Sequence, residues 1–339
     1  MSRRANFART AALAVGAAEL AAAGVALLLA ATPAAAAPCA LVSAQDAGLV
    51  DVVDCAARAV TARIAVGALP VGLAVDADGR RLYVTRPEAG AIGVVDLAAC
   101  RLVGTFDGLG TPFAVAAAAG RLLVTDWNGD RLVALDPATG RTLAQAATGK
   151  APAGLAVDVA RGRVYVAERE ADRIGVFALP DLAPLGSVEV GTAPFAVALD
   201  GDQPVAVNVR SGDLSVIDAE TLSVVATVKV GQMPYAAAAT AAGRLIVTNQ
   251  QSGTVSLVAV GGGAPAEMGQ KKVGAYPEGV AIVDGGRYAL VADWFSDDVR
   301  LVDPASGETL ATIATDAGPR LVVSVAGPVC TDAPAAPAE

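Results

Sequence analysis

Between Phe113 and Ala147 the chain reads as four short apolar runs, Phe113–Ala117, Arg121–Thr125, Arg131–Leu135 and Arg141–Ala147. They are broken by Gly120, by Trp127-Asn128-Gly129-Asp130 and by Asp136-Pro137-Ala138-Thr139-Gly140. Short apolar runs bounded by turn-forming residues predict strands. The same succession recurs along the chain. Each copy opens with a Gly-x-x-Pro-like step whose prolines are Pro70, Pro112, Pro152, Pro194, Pro234, Pro277 and Pro319, spaced by 42, 40, 42, 40, 43 and 42 residues. Four short strands per repeat of this length predict the blades of a β-propeller, here with seven blades.

The run after each proline alternates small with large. Two residues on stand Gly72, Ala114, Gly154, Ala196, Ala236 and Gly279, interleaved with larger residues such as Leu73, Val115, Leu155, Val197 and Val280. Inner strands converging on a central channel need small side chains at alternate positions. After Pro319 only one run remains, about Leu321–Val325, whereas before Pro70 there are three, about Ala40–Ser43, Leu49–Val53 and Val60–Val66. The last run is therefore expected to complete the first blade, which closes the ring and removes free sheet edges. Asp54, Asp96, Asp136, Asp218 and Asp303 recur at the turn between third and fourth runs. There Asp accepts backbone amides, so these acids are expected to form turns.

With the architecture set, composition narrows the chemistry. The 339 residues include no His, which excludes a Ser-His-Asp triad and His-ligated zinc, copper or haem. Arg3, Arg4 and Arg9 precede an apolar stretch from Ala11 to Ala31, and Ala34–Ala37 offers an A-x-A cleavage site. Residues 1–37 are thus expected to be an export signal, with an uncleaved anchor as the alternative. The propeller is assigned to residues 38–330 and a disordered tail to residues 331–339. The formal net charge is −9, and removing the signal makes the body more acidic, which disfavours nucleic acid as a partner.

Four cysteines in an exported chain point to disulfides in the periplasm or outside the cell. Cys55 and Cys100 fall at third-to-fourth turns of adjacent blades, while Cys39 and Cys330 stand near the ring closure. Cys39–Cys330 is the favoured pairing, because it would join the ends of the propeller; Cys39–Cys55 competes across one hairpin.

Leu82-Tyr83-Val84-Thr85 and Ile246-Val247-Thr248-Asn249, with degenerate copies at Val166-Ala167-Glu168 and Val291-Ala292-Asp293, resemble the motif of the YVTN β-propeller repeat proteins. The resemblance spans nearly all of the chain beyond residue 37. It implies a propeller of the cell envelope or surface, and it supplies no common catalytic residue.

Alternating strand direction puts the second-to-third loops on the same face as the proline steps. Most aromatics of the propeller map there, with several arginines. The expected binding residues are Arg86, Phe113, Trp127, Arg169, Phe195, Arg210, Tyr235, Gln250, Glu278, Trp294 and Arg320. Aromatic and arginine side chains are the usual anchors of recognition. No catalytic constellation, metal motif or cofactor fingerprint is found. The sequence favours a monomeric, non-catalytic binding or scaffold propeller of the bacterial envelope, partnered by a protein or a small molecule. A cofactor-free subunit of a periplasmic redox enzyme, or a propeller hydrolase, is the alternative, with Glu278 among the candidate acids.

Overall fold

The computed structural model describes residues 38–332 apart from Ala242 and Gly262, and the expected signal segment and residues 333–339 of the expected tail lie outside them. The chain forms seven four-stranded antiparallel sheets arranged as a seven-bladed β-propeller. Blades are numbered here along the chain. Blade 1 contains Ala40–Ala44, Leu49–Asp54 and Ala59–Ala65, and its innermost strand is Pro319–Ser324. That last strand pairs antiparallel with Ala40–Ala44, Ala40 opposite Ser324 and Val42 opposite Val322, so the ring closes as the repeat count requires. Blade 2 runs from Leu73 to Phe106 and blade 3 from Pro112 to Ala147. Blades 4 to 7 begin at Pro152, Pro194, Pro234 and Pro277.

The alternation of side chains along each strand decides where the core lies. Buried apolar residues sort into seven clusters, each in the seam between two neighbouring blades. In blade 3, Leu122 packs toward blade 2 with Tyr83 and Ile92, whereas its neighbour Leu123 packs toward blade 4 with Val164 and Val166. A period of two thus serves two interfaces at once, and each blade is held from both sides.

The aspartates between third and fourth strands act as turn formers. One Oδ1 accepts two successive amides at each site: Ala56 and Ala57 on Asp54, Ala98 and Ala99 on Asp96, Ala138 and Thr139 on Asp136, Glu220 and Thr221 on Asp218, Ala305 and Ser306 on Asp303. These amides hold the carboxyls of Asp136, Asp218 and Asp303 below the usual carboxylate range.

The cysteines correct one expectation. Cys39 bonds to Cys55 and Cys100 to Cys330, and the favoured Cys39–Cys330 pair does not form. Cys39 and Cys55 flank the hairpin of the first two strands, where the Cys39 amide donates to the Val53 carbonyl, so they face each other locally. Beyond Ser324 the chain leaves blade 1 and crosses to blade 2. There the Cys330 amide donates to the Leu97 carbonyl and the Asp332 amide to Ala98, bringing Cys330 against Cys100. Both bonds fit an oxidising compartment. Among the described residues no helix is long and apolar enough to cross a membrane.

Candidate functional site

The motif threonine explains how one face of the ring is held in place. Thr85 Oγ1 accepts from the Gly72 amide of its own blade at 2.6 Å and donates to the Phe113 carbonyl of the next blade at 2.7 Å. Thr125 repeats the bridge between Ala114 and Ala153, Thr248 between Ala236 and Glu278, and Ser43 between Leu321 and Val71. The carbonyl engaged always belongs to the residue just after a step proline. Those residues form a ring around the channel mouth: Val71, Phe113, Ala153, Phe195, Tyr235, Glu278 and Arg320.

The position after the motif threonine is structural too. Asp126, Glu168, Asn208, Asn249 and Asp293 are all buried and end the second strands. Asp126 Oδ1 accepts the Thr111 amide at 2.8 Å, and its other oxygen accepts Arg131 Nε. A Cβ on Gly231 would lie 2.6 Å from the Asn249 side chain, and glycines 149, 191 and 274 are crowded in the same way by Glu168, Asn208 and Asp293. The glycine of the recurring step is therefore the space that the strand-end polar group occupies.

One residue further along, a second ring forms. The amides of Gln45, Trp127, Arg169, Val209, Gln250 and Trp294 donate, at 2.8 to 3.2 Å, to the carbonyl preceding the proline of their own blade. This repeated bond places all six at equivalent points on the same face.

The two rings enclose a cavity of about 410 Å³ above a narrower space of about 210 Å³ between the inner strands. The cavity is lined by Phe113, Trp127, Arg169, Phe195, Val209, Met233, Tyr235, Gln250, Glu278 and Arg320. Its apolar wall is continuous. Phe113 lies 4.7 Å from Trp127 and 5.6 Å from Phe195, and Phe195 lies 4.4 Å from Tyr235, between ring centroids. Separations of this order favour tilted and edge-to-face contacts.

Arg320, whose side chain is 16% exposed, forms the polar side. Its Nη2 donates to the Tyr235 hydroxyl at 2.6 Å and its Nη1 to Gln45 Oε1 at 2.9 Å. Its Nε stands 3.2 Å from Glu278 Oε2. The guanidinium also faces the rings of Trp294 at 5.1 Å, Phe113 at 5.7 Å and Tyr235 at 6.0 Å. Glu278 is 2% exposed, and its Oε1 accepts Gln250 Nε2 at 2.5 Å. Burial pushes its carboxyl up to about 7, against the pull of Arg320. Burial likewise raises the Tyr235 hydroxyl. At the rim, Arg169 stacks over Trp127 at 5.7 Å and is held by Glu170, while its buried Nε meets no hydrogen-bond partner.

Of the residues expected from sequence, Phe113, Trp127, Arg169, Phe195, Tyr235, Gln250, Glu278 and Arg320 come together around the cavity, and Trp294 adjoins through Arg320. Arg86 does not. It occupies the strand-end position equivalent to Asp126, one residue short of the second ring, and its guanidinium bonds Val66 O and Thr105 Oγ1 in the joint between blades. Arg210 lies one residue beyond that ring, exposed, with Glu170 3.5 Å away, and lines a neighbouring groove. Gln45, Val209 and Met233 were missed. Aligning the repeats on Trp127 and Gln250 points to Gln45 and Val209; Met233 carried no signal beyond preceding Pro234. Phe295, 69% exposed, packs on Tyr276 at 4.7 Å outside the cavity.

Burial raises three other carboxyls besides Glu278, among them Asp200. Asp293 is pushed up to about 7 by burial and then by Asp298, opposed by Arg300, and Asp51 also to about 7, chiefly by burial. A carboxyl raised on folding binds its proton more tightly in the native state. Its stabilising contribution is complete below the unfolded pKa of about 4 and is lost as pH rises through about 7. The melting temperature is therefore expected to rise by several degrees as pH falls from about 8 to about 5.5, before the depressed turn aspartates begin to protonate. Differential scanning fluorimetry of Asp293→Asn beside the wild type checks this. A wild type whose stability climbs with pH across that window contradicts the assignment, as does a variant with an undiminished slope.

No protein-family profile matches this chain, and no curated protein does. Solved structures resemble it in fold. Hydrazine synthase of Kuenenia stuttgartiensis superposes with a TM-score of 0.67 at 17% identity, covering 77% of this chain and 96% of that one. A functionally unknown protein from Desulfotomaculum acetoxidans gives 0.75 at 12% identity, covering 85% and 99%. A putative 6-phosphogluconolactonase from Bacteroides uniformis gives 0.72 at 17% identity, covering 86% and 100%. At these identities the likeness establishes the seven-bladed propeller and goes no further.

Proposed function

We propose that this chain is a non-catalytic binding propeller of the bacterial envelope, which engages a protein or small-molecule partner through the aromatic and arginine-lined mouth of its channel. The observation that carries this reading is the convergence of Phe113, Trp127, Phe195 and Tyr235, from three repeats, with Arg169 and Arg320 on one cavity. Concave, mostly apolar sites with a few convergent polar groups are the usual places of ligand recognition. The envelope assignment rests on the export signal, the two disulfides and the resemblance to YVTN repeat proteins.

The test uses the intact chain as bait in envelope extracts, followed by affinity measurement on what is recovered. Replacing Trp127 and Trp294 together by alanine should weaken capture by about 2 kcal/mol or more, roughly thirtyfold. Both rings are half-buried, so a stability loss of about 1 kcal/mol is expected from their ring contacts. Leu123→Ala, fully buried between blades 3 and 4, is the control and should cost about 2–5 kcal/mol. A double tryptophan variant as unstable as the control makes these indoles core plugs. Unchanged affinity moves the binding surface elsewhere.

A hydrolase or redox-subunit reading is favoured by one observation, the buried Glu278 beside Tyr235 and Arg320, with a carboxyl poised near neutrality for proton transfer. Turnover by the isolated chain that disappears in Glu278→Gln supports it.

A further inference from the structure

We propose that the cavity at the channel mouth selects a small planar aromatic carboxylate, its ring held against Trp127 and Phe195 and its carboxylate met by Arg320 and Arg169. This rests on the reading of that face as a binding site and names what binds there.

Three features point the same way. The first is the wall. Trp127 and Phe195 stand 6.2 Å apart between centroids, with Phe113 touching both, so a flat apolar ligand gains stacking contacts that an aliphatic chain does not. The second is the sign of the charge. The rings already face cations, Arg169 over Trp127 and Arg320 over Phe113, Tyr235 and Trp294. A cationic ligand would meet both guanidiniums at short range, whereas an anion is attracted by Arg320 and by Arg169, the latter already paired with Glu170 on its outer side.

The third is the donor inventory. Arg169 Nε is buried with no hydrogen-bond partner. Arg320 gives two hydrogen bonds to neutral acceptors, Gln45 and Tyr235, which orient the guanidinium without neutralising it. Its one carboxylate neighbour in the cavity is Glu278, whose Oε2 stands 3.2 Å from Arg320 Nε yet accepts no hydrogen bond. Glu278 thus behaves as an internal occupant of the site that an incoming carboxylate replaces. The volume of about 410 Å³ suits a ligand of one or two fused rings.

The exchange has a proton consequence. Around Glu278 stand Arg320 from blade 1 and Tyr235 and Gln250 from blade 6, with exposed Asp46 acting on Arg320 from the rim. Ionised Glu278 competes for Arg320; protonated Glu278 releases it. Binding of the anion therefore takes up a proton and tightens as pH falls toward 6.

The experiment is calorimetric titration of the intact chain, with retained tryptophan fluorescence as a second readout. Four probes isolate the terms: indole-3-acetate, its neutral amide, the cation tryptamine and the aliphatic acid hexanoate. Indole-3-acetate is expected to bind at least about tenfold tighter than each of the others, and to tighten about tenfold between about pH 8 and about pH 6. In Glu278→Gln the pH dependence should vanish, with affinity at pH 8 matching that of the wild type at pH 6. Equal binding of tryptamine or the amide overturns the proposal, as does the absence of any binding. If no probe binds while the bait still captures a partner through Trp127 and Trp294, the ligand class falls and the binding reading stands. If indole-3-acetate binds and is chemically consumed, the ligand class stands and the non-catalytic reading falls.

Discussion

A variant in which Cys100 and Cys330 are both serine is expected to lose about 5 kcal/mol of stability. The bond closes a loop of 230 residues, against 16 for Cys39–Cys55, so in the chain-entropy account it constrains the unfolded ensemble more. It also fastens the strap that follows the strand closing the ring. Without it, that strap keeps the hydrogen bonds to Leu97 and Ala98 and the packing of Val325 and Val329 in the seam between blades 1 and 2. Denaturant unfolding under oxidising conditions checks the prediction, with Cys39→Ser, Cys55→Ser as the partner variant expected to lose about 3 kcal/mol. Wild-type stability in the Cys100/Cys330 variant, or a Cys39–Cys330 peptide on non-reducing mapping, contradicts the pairing.

Replacing Gly279 by alanine is expected to cost about 3 kcal/mol, the upper end for overpacking. A Cβ there would collide with the Arg320 carbonyl oxygen and stand 2.9 Å from Leu321 Cα and 3.0 Å from the Val322 amide nitrogen. These are backbone atoms of the closing strand, so relief requires two blades to part. The same displacement carries Arg320 away from Tyr235 and Glu278, so binding at the channel mouth should weaken together with stability. Gly263→Ala is the contrast, because no atom lies within 4 Å of its Cβ position, and it should stay within about 0.5 kcal/mol of wild type. Equal melting temperatures for the two variants would show that the inner strands are not in tight register.

The regularity that made the fold legible was physical. Prolines at a nearly constant spacing, turn aspartates and alternating small residues each mark a repeated backbone event, and strand limits in blade 3 agree to within a residue or so. The candidate site was legible to the extent that repeat register determines direction. Phe113, Phe195, Tyr235, Glu278 and Arg320 hold the same place after a proline, and Trp127, Arg169, Gln250 and Trp294 the same place after a strand. Arg86 and Arg210 were grouped with them on composition, and each is displaced by one residue from that register. In a strand a displacement of one residue reverses the side chain, which sends Arg86 into the blade joint. The Cys100–Cys330 pairing escaped because it depends on where the chain goes after its last strand, whereas Cys39–Cys55, the competing pairing, is set by the hairpin itself. No repeat exists beyond that strand to show that residues 325–332 cross to blade 2.

The strand that closes the ring is the last to emerge during synthesis, and its partner Ala40–Ala44 is the first strand of the propeller. Until Pro319–Ser324 arrives, Leu41, Val50, Val52 and Ile64 on one face, and Val42 and Val53 on the other, belong to a blade with an open inner edge. A product cut short anywhere before that strand carries this edge and its uncovered apolar residues permanently, which is the condition that proteases and chaperones read. Closure thus works as a length check: the molecule can hide its first blade only when its last segment has been made.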